Sequence, residues 1–216
     1  MNATRFTLWA FGILTLGFLT LPVFVIIPLS FNAEPFFTYP MPGFSLQWYR
    51  EFFASAVWQL ALRNSVIVAV FSTLLATILG TLAALGLTYK NCPLRATITA
   101  FLISPMIVPI IVSAVGIYYA FAQVGLVSTL TGMVLAHTAI GAPFVVITVA
   151  ATLSGFDHAL MRAAASLGAN PVRAFWRVML PVISPGVVSG ALFAFVTSFD
   201  EVVIALFIAG SEQRTL

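Results

Sequence analysis

The feature that most constrains this chain is a series of five apolar runs, each long enough to cross a lipid bilayer as a helix. They lie near residues 7–31, 64–89, 97–123, 130–153 and 183–210. A helix needs roughly 20 residues to cross a hydrocarbon core of about 30 Å. Charged residues make up only 7% of the chain, which is too few to cover the surface of a water-soluble domain. The sequence therefore predicts a polytopic membrane protein in which residues 1–216 form one transmembrane domain.

The apolar runs also indicate which membrane architecture to expect. They do not alternate between apolar and polar residues, as the strands of a membrane barrel would. Ala, Gly and Thr residues are interspersed through them, which suits helices that pack closely. We therefore expect an all-α fold with five visible spans, an outer segment at 32–62 and an inner loop at 154–182. The pair Gly186 and Gly190 predicts close packing near the start of the fifth span.

Basic residues are distributed unequally between the two sides of the predicted spans. Three of the nine lie on the side of the outer segment, and six lie on the side of the N-terminus and the inner loop. Those six are Arg5, Lys90, Arg95, Arg162, Arg173 and Arg177. Because basic residues favour the cytoplasmic side, we expect a cytoplasmic N-terminus and a cytoplasmic inner loop.

Charge and cysteine content exclude several classes of function. The net charge is only +3, and Lys90 lies in no basic run, so nucleic-acid binding is not expected. The sequence lacks a GxxxxGK[ST] phosphate loop, so nucleotide hydrolysis on this chain is not expected. The single cysteine, Cys92, has no second thiol with which to form a disulfide or share a metal. We expect no catalytic, cofactor or metal site.

The inner loop carries signals for the start and the end of helices. Asp157 is expected to cap a helix over residues 158–167, which Gly168 ends by adopting a positive φ. An Asn-Pro pair then starts a second helix, which should stop before Pro181. The first helix should present Leu160, Ala164 and Leu167 on one cytoplasmic face. That face suits a partner protein, and an interfacial loop without a partner is the alternative.

This loop resembles the signature of the membrane-embedded permease subunits of bacterial ATP-binding-cassette (ABC) importers of type I. The signature is Glu-Ala-Ala, three residues, Gly, nine residues, and then Ile/Val-x-Leu-Pro. The chain has Arg162-Ala163-Ala164, then Gly168, then Val178-Met179-Leu180-Pro181, at the same spacings. Arg162 departs from the acidic residue of the family, so any salt bridge made by that acid in relatives is absent or reversed here.

Four further stretches make the chain most similar to the polyamine (spermidine/putrescine) branch of these permeases. They are residues 43–49 followed by 64–65, residues 104–109, residues 137–138 with 143–146, and residues 198–203. The resemblance implies a six-helix fold, so a sixth span would follow Leu216. It also implies a bacterial inner-membrane location and a permease with no enzymatic activity or cofactor of its own.

The same resemblance implies the partners of this chain in the membrane. They are two copies of a separate ATPase subunit, a second permease subunit and a periplasmic or extracellular solute-binding protein. By resemblance, the inner loop docks into a groove on the ATPase and acts as a coupling lever. The residues expected to form this coupling loop are Asp157, Leu160, Arg162, Ala163, Ala164, Leu167, Gly168 and Pro181.

Asp200 and Glu201 are the only acidic residues inside any predicted span. A charged side chain at the centre of a membrane helix costs roughly 2.5–3.5 kcal/mol, so these acids should face protein or water. On a continuous helix they would share one polar face with Thr197 and Ser198, and Asp200 would lie about 15 Å from its outer end. We expect this face to form a cation-selective wall of the translocation path, with Asp200 the more important acid. A structural ion-paired or hydrogen-bonded cluster is the alternative.

Other polar positions in the spans leave alternatives open. Pro105 and Pro109 interrupt the third span, where freed carbonyl groups can line a cavity, although kinks alone are common. His137 is interpreted as a satisfied packing histidine. Alternative functions are a permease for a different small solute, a structural membrane subunit, and a proton-coupled transporter that uses Asp200 and Glu201 as a relay. A relay would predict an internal repeat and a second acidic site, and we find neither.

Overall fold

A computed structural model describes residues 3–36, 38–89 and 92–216. Lys90, which contributes to the predicted charge bias, lies outside these residues. Within the described ranges the regular elements are helices, which confirms the all-α prediction. They are α1 (Ala3–Leu29), α2 (Gln47–Ala54), α3 (Ala56–Thr88), α4 (Arg95–Ile107), α5 (Ile110–Gln123), α6 (Leu130–Ser154), α7 (Ala159–Ser166), α8 (Pro171–Ala174), a π-helical turn (Phe175–Met179), α9 (Leu180–Asp200) and α10 (Val203–Ile208).

Helices long and apolar enough to cross a membrane account for each of the predicted spans. Four such helices are Thr7–Leu29, Ala56–Thr88, Leu130–Ser154 and Pro171–Asp200. The pair α4 and α5 provides a fifth candidate span that is broken and bent by 107°. The helix α3 starts well before the predicted residue 64, because the polar residues Gln59 and Arg63 continue the helix although they lower its apolar character.

The described residues group into two compact units, and the first comprises Met1–Gln59. In this unit the short aromatic helix α2 is tied to the segment that follows α1. The indole Nε1 of Trp48 donates to the carbonyl of Asn32 over 2.8 Å. The hydroxyls of Tyr49 and Ser30 lie 2.7 Å apart. Aromatic residues of this kind favour the headgroup region of a bilayer. The prediction of one domain over 1–216 stays a prediction.

The second unit, Leu60–Leu216, is organised around α6, against which α9 packs closely. The α9 residues on this contact are small, buried and spaced four apart: Gly186, Gly190, Ala194 and Ser198. A Cβ atom built on Gly190 would lie 2.8 Å from the Cα of Val145, and one built on Gly186 would overlap the hydroxyl of Thr152. The predicted close packing at Gly186 and Gly190 is therefore confirmed, and α6 is the partner helix.

Replacing Gly190 with leucine should destabilise this helix pair, because no space exists for a side chain there. Overpacked sites typically lose about 1–3 kcal/mol, and here the obstacle is helix backbone, so we expect the upper end of that range. The amount of folded protein after graded heating in detergent would measure the loss. Gly86→Leu is the matched control, since nothing lies within 4 Å of a Cβ built at Gly86. Equal thermal stability of the two variants would contradict the packing.

Two apolar clusters pack against the two ends of α6. One contains Val149, Leu153, Phe156, Met179 and Ile183, and joins α6 and α9 to the π-helical turn. The other contains Ala114, Met133, Ile140, Ile204 and Ile208, and joins α5, α6 and α10. The inner loop and the broken segments therefore sit at opposite ends of the α6–α9 contact.

Candidate functional site

The first helix of the inner loop is capped at both ends by local hydrogen bonds. The carboxylate of Asp157 accepts a bond from the N–H of Ala159 over 2.8 Å. At the other end, Gly168 has a φ of +82°. The N–H of Gly168 bonds to the carbonyl of Ala165, and that of Ala169 bonds to the carbonyl of Ala164. This is the Schellman pattern, in which a left-handed residue satisfies the last carbonyl groups of a helix. The predicted role of Gly168 in ending the helix is confirmed, although α7 is slightly shorter than predicted.

The second helix of the loop differs from the prediction. It starts as expected, because Asn170 accepts a bond from the N–H of Arg173 over 2.8 Å and Pro171 occupies the first turn. It does not stop before Pro181, and it continues as one helix over Pro171–Asp200. The π-helical turn at Phe175–Met179 ends two positions before Pro181. Such a turn lets a helix accommodate a residue that lacks an N–H and crowds the preceding turn.

The outer surface of this loop exposes several apolar side chains. Leu160 is 43% exposed and Leu167 is 88% exposed. Ala164 is less exposed than these two leucines, and it is half-buried. Arg162, Ala163 and Pro181 are also exposed. Sequence reasoning did not identify Val172, which is 67% exposed, and did not place Trp176, which is 62% exposed, on this exposed apolar surface. Val172 and Trp176 are four residues apart and follow the Asn-Pro pair that starts the helix. This helical spacing could have predicted from the sequence that they share one face.

The opposite side of the inner loop packs against the membrane helices. Phe156 and Met179 are buried, and both belong to the apolar cluster that contains Leu153 and Ile183. Met161 and Phe175 pack against the same cluster. The inner loop is therefore packed against the ends of α6 and α9 that it joins and is not a free surface loop.

The segment that carries the two acids is not the continuous helix that the sequence predicted over 183–210. The helix α9 ends at Asp200, and α10 begins at Val203. Between them Glu201 is extended, with φ −84° and ψ 102°. One carboxylate oxygen of Glu201 accepts a bond from the N–H of Ile204 over 3.1 Å, and so caps α10. A carboxylate at a helix N-terminus is stabilised by the exposed N–H groups there.

A cleft of about 410 Å³ opens beside this break. It brings together four of the predicted pathway residues, Thr197, Glu201, Pro105 and Pro109. The cleft also uses the break between α4 and α5, where Val108 is extended. Two cleft residues, Ile140 and Phe144 of α6, were not expected from the sequence. Two interrupted helices thus meet at one cleft with an acidic side chain.

The predicted single polar face is divided in the structure. Ser198 is buried, whereas Asp200 is exposed and does not line the cleft. Because the backbone turns after Asp200, the helical periodicity used for the prediction no longer applies to Glu201. Within the described ranges, no ion pair involves Asp200 or Glu201. The cleft therefore contains Glu201, and not Asp200, which was expected to be the more important acid.

Three helices meet at a buried polar cluster formed by Ser72, His137 and Ser198. The hydroxyl of Ser72 donates to that of Ser198 over 2.9 Å. The Nδ1 atom of His137 lies 2.9 Å from the hydroxyl and 3.1 Å from the carbonyl oxygen of Ser198. The Nε2 atom of His137 is buried without a partner. His137 packs as predicted, but only one of its two nitrogens is satisfied.

The chain is similar in sequence to permease proteins of known transport systems. Over 207 residues the chain is 33% identical to the spermidine/putrescine transport system permease protein PotC of Haemophilus influenzae, covering 96% of this chain and 80% of that protein. It is 32% identical to the putrescine transport system permease protein PotI of Escherichia coli K12, covering 96% and 77% respectively. A crystal structure of a bacterial ABC transporter that imports the acidic polysaccharide alginate matches 99% of this chain and 78% of that chain. Its TM-score is 0.74 at 15% identity, so that likeness concerns the fold.

A family model also matches most of the second unit. Residues 76–215 match the binding-protein-dependent transport system inner membrane component. This range includes the helix break, the cleft and the whole inner loop. The chain is a multi-pass membrane protein, and it belongs to the family of permease subunits of binding-protein-dependent ABC importers.

Proposed function

We propose that this permease subunit forms half of the import pathway for a small organic cation of the polyamine type. The observation that carries the proposal is the cleft, which holds Glu201 beside two helix breaks. One oxygen of that carboxylate caps α10, and the other has no hydrogen bond among the described residues. A carboxylate with a free oxygen attracts an ammonium group through a charge-assisted hydrogen bond. The names of the two relatives point to the same class of solute.

The rest of the cleft suits the carbon chain of a polyamine. Ile140 and Phe144 supply apolar surface, and Thr197 supplies a hydroxyl. A polyamine alternates methylene segments with ammonium groups, so it needs both kinds of contact. A second permease subunit would close the open side of the cleft and complete the pathway, with the exposed Asp200 turned to the shared space.

We further propose that the inner loop couples this pathway to ATP hydrolysis on a separate subunit. The exposed side chains of Leu160, Leu167, Val172 and Trp176 form the docking surface for that ATPase, of which the complex holds two copies. In this proposal the loop lies in the cytoplasm and the chain in the bacterial inner membrane, and the bias of basic residues in the sequence supports a cytoplasmic N-terminus as well. An external solute-binding protein delivers the cation from the opposite side.

The test of the solute class is competition for uptake in whole cells. Cells that carry the intact transporter should take up labelled spermidine or putrescine, and cells in which this gene is deleted should lose that uptake. Unlabelled polyamines should compete, whereas a neutral sugar and an oxyanion such as molybdate should not. Competition by the oxyanion, with no effect of polyamines, would contradict a cationic solute.

A further inference from the structure

The contact between Ser198 of α9 and His137 of α6 differs from the other contacts between these two helices. The residues that α9 places against α6 are Gly186, Gly190 and Ala194, and they make only packing contacts. The fourth residue, Ser198, instead meets His137 in a hydrogen bond, which has a direction. The two helices are therefore fixed in orientation at the end where α9 breaks.

His137 forms a hydrogen bond with the carbonyl group of Ser198, which the end of α9 leaves without its usual donor. In a continuous helix, the carbonyl of Ser198 would accept from the N–H of Val202, four residues later. Because α9 ends at Asp200, Val202 makes no such bond. A buried carbonyl without a donor costs free energy. The ring of His137 takes the place of the missing donor, from a neighbouring helix.

The bond to the Ser198 carbonyl requires one particular tautomer of His137. A carbonyl oxygen can only accept, so this bond forms when Nδ1 carries the hydrogen. Nε2 is then a bare acceptor, and it is buried without a partner. The side chain is thus held by Nδ1 alone. Ser72 of α3 completes the cluster by donating to the hydroxyl of Ser198.

We infer that His137 is a positioning residue, which fixes the carbonyl end of α9 and thereby aims Glu201 into the cleft. Glu201 lies only three positions after Ser198, in the extended segment between α9 and α10, where its carboxylate accepts from the N–H of Ile204. A rotation of the end of α9 would turn the carboxylate away from Pro109, which lines the cleft at the break between α4 and α5. This inference rests on the proposed function, because it assigns a position to the acid that binds the cation.

Two substitutions of similar size and polarity separate positioning from bulk packing. His137→Asn places its amide nitrogen at the same number of bonds from the backbone as Nδ1, so it can still donate to the Ser198 carbonyl. His137→Gln places its nitrogen where Nε2 lies, so it leaves that carbonyl without a donor. Both variants replace the imidazole ring with a smaller amide. A purely structural role of His137 therefore predicts similar effects for the two.

The experiment measures spermidine uptake by the complete transporter complex in proteoliposomes for the wild type and both variants. With His137→Gln we expect the apparent KM for spermidine to rise by about tenfold, the size associated with one lost buried hydrogen bond. Basal ATPase activity and the yield of assembled complex should change little. His137→Asn should keep a KM within about twofold of the wild type, since the bond is retained.

The outcomes separate this inference from the proposed function. If the wild-type complex takes up no spermidine, the proposed solute is wrong. If the wild type takes up spermidine but the two variants have the same KM, or lose only assembly yield, the positioning role is wrong. A rise in KM with His137→Asn alone would contradict it as well, because that variant keeps the donor.

Discussion

Replacing Glu201 with glutamine should lower cation uptake by at least about tenfold, because it removes the charge that binds an ammonium group in the cleft. Glutamine keeps an oxygen that can accept from the N–H of Ile204, so the cap of α10 is retained. The helix break and the fold should therefore survive. The measurement is the initial rate of labelled spermidine uptake, divided by the amount of assembled transporter in the membrane.

Two further variants make this prediction specific. Glu212→Gln is the matched control, since Glu212 is an exposed acid outside the cleft lining, and its uptake should equal that of the wild type. Asp200→Asn should reduce uptake less than Glu201→Gln does, because Asp200 does not line the cleft. A larger loss with Asp200→Asn would contradict the cleft as the binding site. Loss of assembled transporter with Glu201→Gln would favour a structural role for the acid.

Replacing Gly168 with leucine should uncouple transport from ATP hydrolysis. Gly168 has a φ of +82°, a conformation that costs a residue with a Cβ about 1–2 kcal/mol. Nothing lies within 4 Å of a Cβ built there, so the effect comes from the backbone and not from a steric clash. A change of this angle would reorient α7 and the exposed Leu160 and Leu167 with it. We expect solute-stimulated ATPase activity and uptake to fall about tenfold, which corresponds to roughly 1.4 kcal/mol.

Gly168→Asn is the control for this prediction. Asparagine adopts the left-handed conformation more readily than leucine does, so it should retain most of the coupling. Membrane insertion should be the same for both variants, since the loop lies outside the spans. Normal stimulation of the ATPase by solute in the leucine variant would argue against a coupling role for residues 157–181.

The local features of the inner loop could be predicted because they depend on neighbours in sequence. The positive φ of Gly168 and the cap by Asn170 each involve bonds over three to five residues, for which the side chains are diagnostic. The rule that a helix stops before proline misled at Pro181. A π-helical turn absorbs the proline there, and membrane helices tolerate such interruptions because burial and packing hold the helix together.

The break at Glu201 could not be predicted, because its causes lie elsewhere in the chain. The apolar run continues through Val202 and Ile208, so hydropathy gives no sign of an interruption. The break instead depends on the packing of Ile204 and Ile208 against α5 and α6, and on the capping of α10 by Glu201. The bond from His137 to Ser198 joins residues 61 positions apart, which no local pattern reveals.

The central claim is that this subunit carries a cation driven by ATP hydrolysis on a partner, and reconstitution tests it most directly. The complete complex would be placed in proteoliposomes with the solute-binding protein and labelled spermidine on one side and ATP on the other. Uptake should require ATP and both ATPase subunits, and it should persist when an ionophore collapses the proton gradient. Uptake that needs the proton gradient and proceeds without ATP would contradict the claim, and would indicate a proton-coupled transporter instead.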